Sequence, residues 1–143
     1  MFALTVNRAR YKEKLFPGTF NLVLSGSDGS SASKIQLTDN SKDVTTLTFT
    51  DAGRVFDIVS GTNGSAVSES VTGSVTAGYT PSGSYGKFLP DVGLILLNPR
   101  ALALSASQGG VGLVINDDLT NTALVANNSA LFESIKLAST FSL

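Results

Sequence analysis

The side chains able to do chemistry in this chain are few, and the absences are sharper than the presences. Histidine and cysteine are both missing from the 143 residues. Without imidazole or thiol, a Ser-His-Asp triad, a Cys-His pair and every His- or Cys-based metal site are excluded. What remains is hydroxyls, carboxylates, amines and guanidinium groups. Ser31-Ala32-Ser33-Lys34 has the Ser-x-x-Lys spacing of some acyl-transfer enzymes, in which a helix presents the hydroxyl to the amine. Here the four residues run from a Gly/Ser loop into a strand, so a plain loop is expected. Asp117-Asp118 offers oxygen ligands of the kind Ca²⁺ or Mg²⁺ takes, but no second acidic cluster stands at motif spacing, and a turn or cap is the ordinary use of Asp. Gly109-Gly110-Val111-Gly112 resembles a phosphate loop but lacks the third glycine and the following helix. A tight connection is expected there, and no catalytic, cofactor or metal site is expected anywhere in the chain.

One charged pattern stands out. Arg8, Arg10, Lys12 and Lys14 recur at every second position, which on a strand would make a basic stripe and on a helix would scatter around the axis. A solvated face is the ordinary use of such a run. Contact with a neighbouring subunit or an acidic partner is the alternative, and these four are the candidate subunit-contact residues. Asn63-Gly64-Ser65 and Asn127-Asn128-Ser129 match the glycosylation sequon, which has meaning only in a secretory protein, and no signal peptide is visible.

The elements that must position these residues are written in the hydropathy pattern. Phe2 to Val6 reads as a strand. Period-two alternation then places Phe20, Leu22 and Leu24 on one strand face, Ile35 and Leu37 on the next, and Leu47 and Phe49 on a third within the Thr-rich run 45–50. Turn signals separate them at Pro17-Gly18, Asp39-Asn40-Ser41, Ala52-Gly53 and Asn63-Gly64. Short strands joined by short turns predict an antiparallel meander. Residues 60–84 are Gly, Ser and Thr with scattered Val, which predicts a flexible loop or a hairpin around Val71 to Thr76. Leu94-Ile95-Leu96-Leu97 shows no alternation and predicts a central strand covered on both faces.

Asn98-Pro99 is a helix opening, the Asn capping free amides and the Pro occupying the first helical position, for a short helix near 99–105. Val111 to Ile115 predicts a further covered strand. Ser129 then caps a C-terminal helix near 129–138, with Leu131 and Ile135 one turn apart and Glu133 and Lys136 facing out. The fold class is α+β: a mainly antiparallel β meander or sandwich with two helices, in one domain spanning 1–143.

Composition bounds the partners. Charged residues make up 15%, well under the roughly 25% of ordinary soluble domains, and mean hydropathy is positive. A weakly charged surface suits assembly, and equally a neutral Ser/Thr-rich β domain. Net charge is −1 with both signs spread along the chain, which argues against nucleic acid. The longest unbroken aliphatic run is four residues, far short of a membrane span. The apolar ending Phe141-Ser142-Leu143 implies either that both termini are tied down or that the chain continues in a longer protein.

Val6-Asn7-Arg8-Ala9-Arg10-Tyr11-Lys12-Glu13-Lys14-Leu15 running into Pro17-Gly18 and a strand, then Tyr85 to Asn98, then Leu131-Phe132-Glu133-Ser134-Ile135, occur in that order. Together they resemble modules of large virion structural proteins from contractile-tailed cyanobacterial phages, over nearly the whole chain. The resemblance implies a non-enzymatic building block of the tail, baseplate, neck or fibre apparatus. Such a block is located in the virion and works by contacts with copies of itself and with other virion proteins, with no nucleic-acid or membrane partner. The other reading is a β-rich binding module that recognises a host receptor or glycan through the loops between 60 and 84.

Overall fold

The computed structural model describes residues 1–7, 9, 14–25, 34–66, 85–104, 110–115, 120–138 and 141–142. Within them the chain forms strands β1 (Phe2–Thr5), β2 (Asn21–Ser25), β3 (Lys34–Asp39), β4 (Thr48–Thr50), β5 (Gly53–Thr62), β6 (Ser65–Ala66), β7 (Gly86–Leu89) and β8 (Leu94–Leu97). Helices α1 (Pro99–Ala103) and α2 (Asn121–Ala138) follow, and then β9 (Phe141–Ser142). The class is α+β, with every strand pairing antiparallel.

The sheet runs in the order β1-β8-β7-β5-β3-β2-β9, with β4 and β6 paired to the two ends of β5. Its two outer strands come from opposite ends of the sequence. The pairings Phe2↔Leu97, Leu4↔Ile95, Ile95↔Phe88, Phe88↔Phe56, Ile58↔Asp39, Leu37↔Leu22 and Ile35↔Leu24 thread one continuous face across all the longer strands. That face is the core. Phe20, Leu22, Leu24, Leu37, Ile58, Phe88, Ile95 and Leu97 are fully buried on it, and the rings of Phe20 and Phe88 stack with centroids 5.2 Å apart. Burying one such side chain contributes about 1.5–3 kcal/mol, so this face dominates the stability of the sheet.

β8 departs from the sequence expectation. Ile95 and Leu97 are buried while Leu94 and Leu96 are half-buried, and the strand lies second from an edge, between β1 and β7. An unbroken apolar run carries no phase information, so periodicity alone does not distinguish a doubly covered strand from one with a thin cover on its outer face. The middle of the sheet is β5 instead, a ten-residue strand that pairs with β3, β4, β6 and β7. Phe49 lies in the expected strand and Leu47 just before it, but both are exposed, because β4 pairs only with the end of β5 that lies beyond the β3 and β7 pairings.

Residues 60–66 finish β5 and turn back into β6 through Asn63 (φ 51°) and Gly64 (φ 88°), a left-handed pair suited to a two-residue hairpin. The loop expected over 60–84 therefore does not begin at 60, and the rest of it, with the hairpin expected around Val71 to Thr76, lies outside the described residues. At the other strand end Gly86 is required for packing: a Cβ there would sit 1.8 Å from the Leu96 carbonyl oxygen.

Helix α1 opens as the sequence says it should. Asn98 accepts a hydrogen bond from the Arg100 amide at 3.1 Å, and Pro99 follows as the first helical residue. The helix ends at Ala103, with Leu104 already extended, and 105–109 lie outside the described residues. Val111 to Ile115 is not a strand. The Val111 and Leu113 amides both donate to the Leu102 carbonyl and the Gly112 amide to that of Leu104, so the segment folds back over α1 and buries Val111 and Leu113 there. Helix α2 starts eight residues before the expected cap. Thr120 is the residue at its entrance, its hydroxyl accepting from the Ala123 amide at 3.2 Å, while Ser129 is mid-helix. Asn121, Asn127 and Asn128 weaken the helical signal ahead of Ser129, because Asn competes with helical hydrogen bonding. Packing of Ala123, Leu131 and Ser134 against the rest of the molecule overrides that preference.

Candidate functional site

Of the four residues in the basic run only Lys14 is described; Arg8, Arg10 and Lys12 lie outside. Lys14 is exposed and sits on the strap from 14 to 20 that leads into β2. The Leu15 amide donates to the Pro90 carbonyl at 3.0 Å, which brings Lys14 to the β7–β8 turn, where its charge acts on Asp91. Asp91 is the anchor of that corner. Its Oδ2 accepts from the backbone amide of Arg54 at 2.8 Å and from Arg54 Nε at 3.2 Å, while Oδ1 accepts from Arg54 Nη2 at 2.9 Å. The guanidinium fork matches the carboxylate, and the backbone bond fixes the approach.

The hydrogen bonds from the Arg54 side chain, then that from its amide, hold the Asp91 carboxyl below the usual carboxylate range, against a smaller opposing effect of burial. The same pairing holds Arg54 above its ordinary value. Gly53 makes the approach feasible: at φ +96° it has no Cβ, which would stand 2.5 Å from Asp91 Oδ2. Arg54 and Asp91 are 37 residues apart, and nothing in the sequence pairs them.

A second charge pair, Lys87 Nζ to Asp57 Oδ1, lies across the β5–β7 pairing. It borders a cleft of about 80 Å³ lined by Val44, Leu47, Val55 and Phe56, among others. Small-molecule pockets run to about 300–1,000 Å³, so this cleft takes no more than part of a side chain. The Asp57 amide beside it is held by Asn40 Oδ1 at 3.0 Å.

The one fully buried carboxylate among the described residues is Asp39. Both of its oxygens accept from the Gly18 amide, at 3.0 and 2.9 Å, and Oδ2 also accepts from the Ser41 backbone amide at 3.2 Å. Its bonds tie the strap to the end of β3, a structural use. Nearby, Thr38 donates to the Phe20 carbonyl and accepts from the Gly64 amide, fastening the β5–β6 turn to the same place. Tyr85 is buried too, and burial pushes its phenol up, which keeps it neutral. Among the described residues no three Asp, Glu, His or Cys side chains converge as metal ligands, and no helix is long and apolar enough to cross a membrane. Asp117-Asp118 and Ser31 to Ser33 lie outside the described residues.

The outer surface carries more than the polar sites do. Phe16 is 75% exposed, Val114 73%, Phe49 68%, Val125 65% and Phe132 63%. On α2 the side chains of Ala123, Leu131 and Ser134 turn inward, and Ser134 Oγ donates to the Ser25 carbonyl at 2.6 Å. Val125 and Phe132, seven residues apart, share the outward face with Leu124 near them. The sequence signal for this was available: α2 has only Glu133 and Lys136 as charged residues, too few for a solvated helix face.

Compared with protein-family models, curated proteins and solved structures, the chain matches none.

Proposed function

We propose that the chain is a non-enzymatic structural component of a tailed-phage virion, in the tail, baseplate, neck or fibre apparatus, acting through subunit–subunit contacts. The observation that carries the assembly part is the set of large apolar side chains held outward by ordered elements, Phe49 on β4 and Val125 and Phe132 on α2, on a chain with 15% charged residues. Apolar surface of this kind is covered in proteins that function as assemblies. The placement in a virion rests on the order of the Arg8, Tyr85 and Leu131 segments. Mass spectrometry of purified particles from the phage that encodes the chain tests it. Peptides from this chain at a stoichiometry of several copies per particle are expected, and their absence from intact particles removes the proposal.

A further inference from the structure

The two edges of the sheet are finished differently. At the β2 edge, β9 pairs with Asn21 and Leu22, α2 packs alongside, and Ser134 takes the Ser25 carbonyl. At the β1 edge no described strand pairs beyond Phe2–Thr5. The register shows which backbone groups this leaves. The Val6 amide donates to the Gly93 carbonyl at 2.9 Å, in line with the Leu4↔Ile95 and Phe2↔Leu97 pairs. Bonded and non-bonded pairs alternate along an antiparallel ladder, so Phe2, Leu4 and Val6 bond inward to the sheet. The N–H and C=O groups of Ala3 and Thr5 point out of it.

Natural proteins protect such edges with charges, prolines or bulges. From Met1 to Asn7 there is no charged side chain and no proline, and the β1–β8 register has no bulge. We propose that this edge pairs with β1 of a second copy of the chain, antiparallel about a two-fold axis at Leu4. In that register Ala3 meets the partner's Thr5 and Thr5 meets the partner's Ala3, each as a hydrogen-bonded pair. The two Leu4 residues face each other as the closer, non-bonded pair at about 5 Å between Cβ atoms. Leu4, Val6 and Phe2 all lie on the core face, and Leu4 and Val6 are only partly covered within one copy. The second copy therefore continues the core as well as the ladder.

A second copy is the favoured occupant because the pairing is self-complementary. One short segment without charged side chains supplies both halves, so no like-charged side chains oppose each other in the pairing. The inference rests on the proposal that the chain works by subunit contact, and it names one such contact.

Sedimentation of the full chain over a range of concentrations tests it, with the fold followed by circular dichroism. The wild type is expected to form dimers. Thr5→Pro removes one outward N–H and leaves the β8 ladder whole, an allowed place for proline on an edge, and is expected to weaken dimerisation at least about tenfold. Because that variant can also disturb β1, a charge pair supplies an independent reading. Ala3→Lys with Thr5→Lys sets like charges opposite each other and gives monomers, whereas Ala3→Lys with Thr5→Glu sets opposite charges in register and restores the dimer. A monomeric wild type, or a dimer that survives the double lysine substitution, overturns the inference. Either result leaves the virion proposal standing on its own test, since particle mass spectrometry reads presence and not the mode of contact.

Discussion

Asp91 shows how one side chain organises a corner of this protein. Its carboxylate takes the Arg54 fork and the Arg54 amide, so three bonds join the β7–β8 turn to the start of β5, and Lys14 adds a positive charge from the strap. The native carboxyl is depressed relative to an unfolded-state value of about 3.9, so its contribution is present above that value. Stability from this site begins to fall as pH drops through about 4 and is gone once pH is below the depressed native value. Both side chains are partly open to solvent, which limits the size of the effect. Asp91→Asn is expected to cost about 1 kcal/mol at neutral pH and to flatten the pH dependence below about pH 4, measured by urea unfolding at each pH. An unchanged acid limb in the variant shows that another carboxylate sets it. Gly53→Ala is expected to cost about 1–3 kcal/mol through the positive φ and the contact with Asp91, read in the same unfolding assay.

At the scale of elements, the difference between local and tertiary control is clearest in the helices. Helix α1 is locally specified: Asn98 and Pro99 supply an amide acceptor and a preset φ, and no distant residue is needed to place its start. Helix α2 is not. Asn121, Asn127 and Asn128 weaken its first half, and Ser129 offers a cap inside it, yet the helix runs through them because its inward face is packed on β2. Thr120→Ala is therefore expected to cost about 1 kcal/mol, as loss of an N-cap does. Ser129→Ala, on the exposed side of the helix, is expected to be neutral or slightly stabilising, since Ala has the higher propensity. Thermal unfolding of the two variants distinguishes them, and a larger loss at Ser129 contradicts the helix start at 121.

For the molecule as a whole, the question is what its outward apolar side chains are for. Phe49 and Phe132 contribute little to the fold of one copy, being largely open to solvent. Phe132→Ser with Phe49→Ser is expected to change unfolding free energy by less than about 1 kcal/mol in total, while lowering incorporation into particles or self-association, followed by light scattering and particle mass spectrometry. Loss of stability with unchanged assembly places these residues in the fold instead. β1 belongs to the same scale, because an edge strand is finished only by what lies beyond it.

Strands β1 to β4 and β8, the inward faces of β2 and β3, and the α1 cap were legible in the sequence because each depends on neighbours within a few residues: alternation sets which of Phe20, Leu22 and Leu24 turn inward, and Asn98 needs only Arg100. The absence of imidazole and thiol chemistry was legible as well, because it is composition. Tertiary structure alone decided that β5 rather than β8 is the middle of the sheet, that Leu47 and Phe49 face solvent, that Val111 to Ile115 folds over α1, and that Asp91 grips Arg54. These depend on pairings between residues far apart in the chain, where burial and hydrogen bonding are set by which segments meet, and no local pattern encodes that meeting.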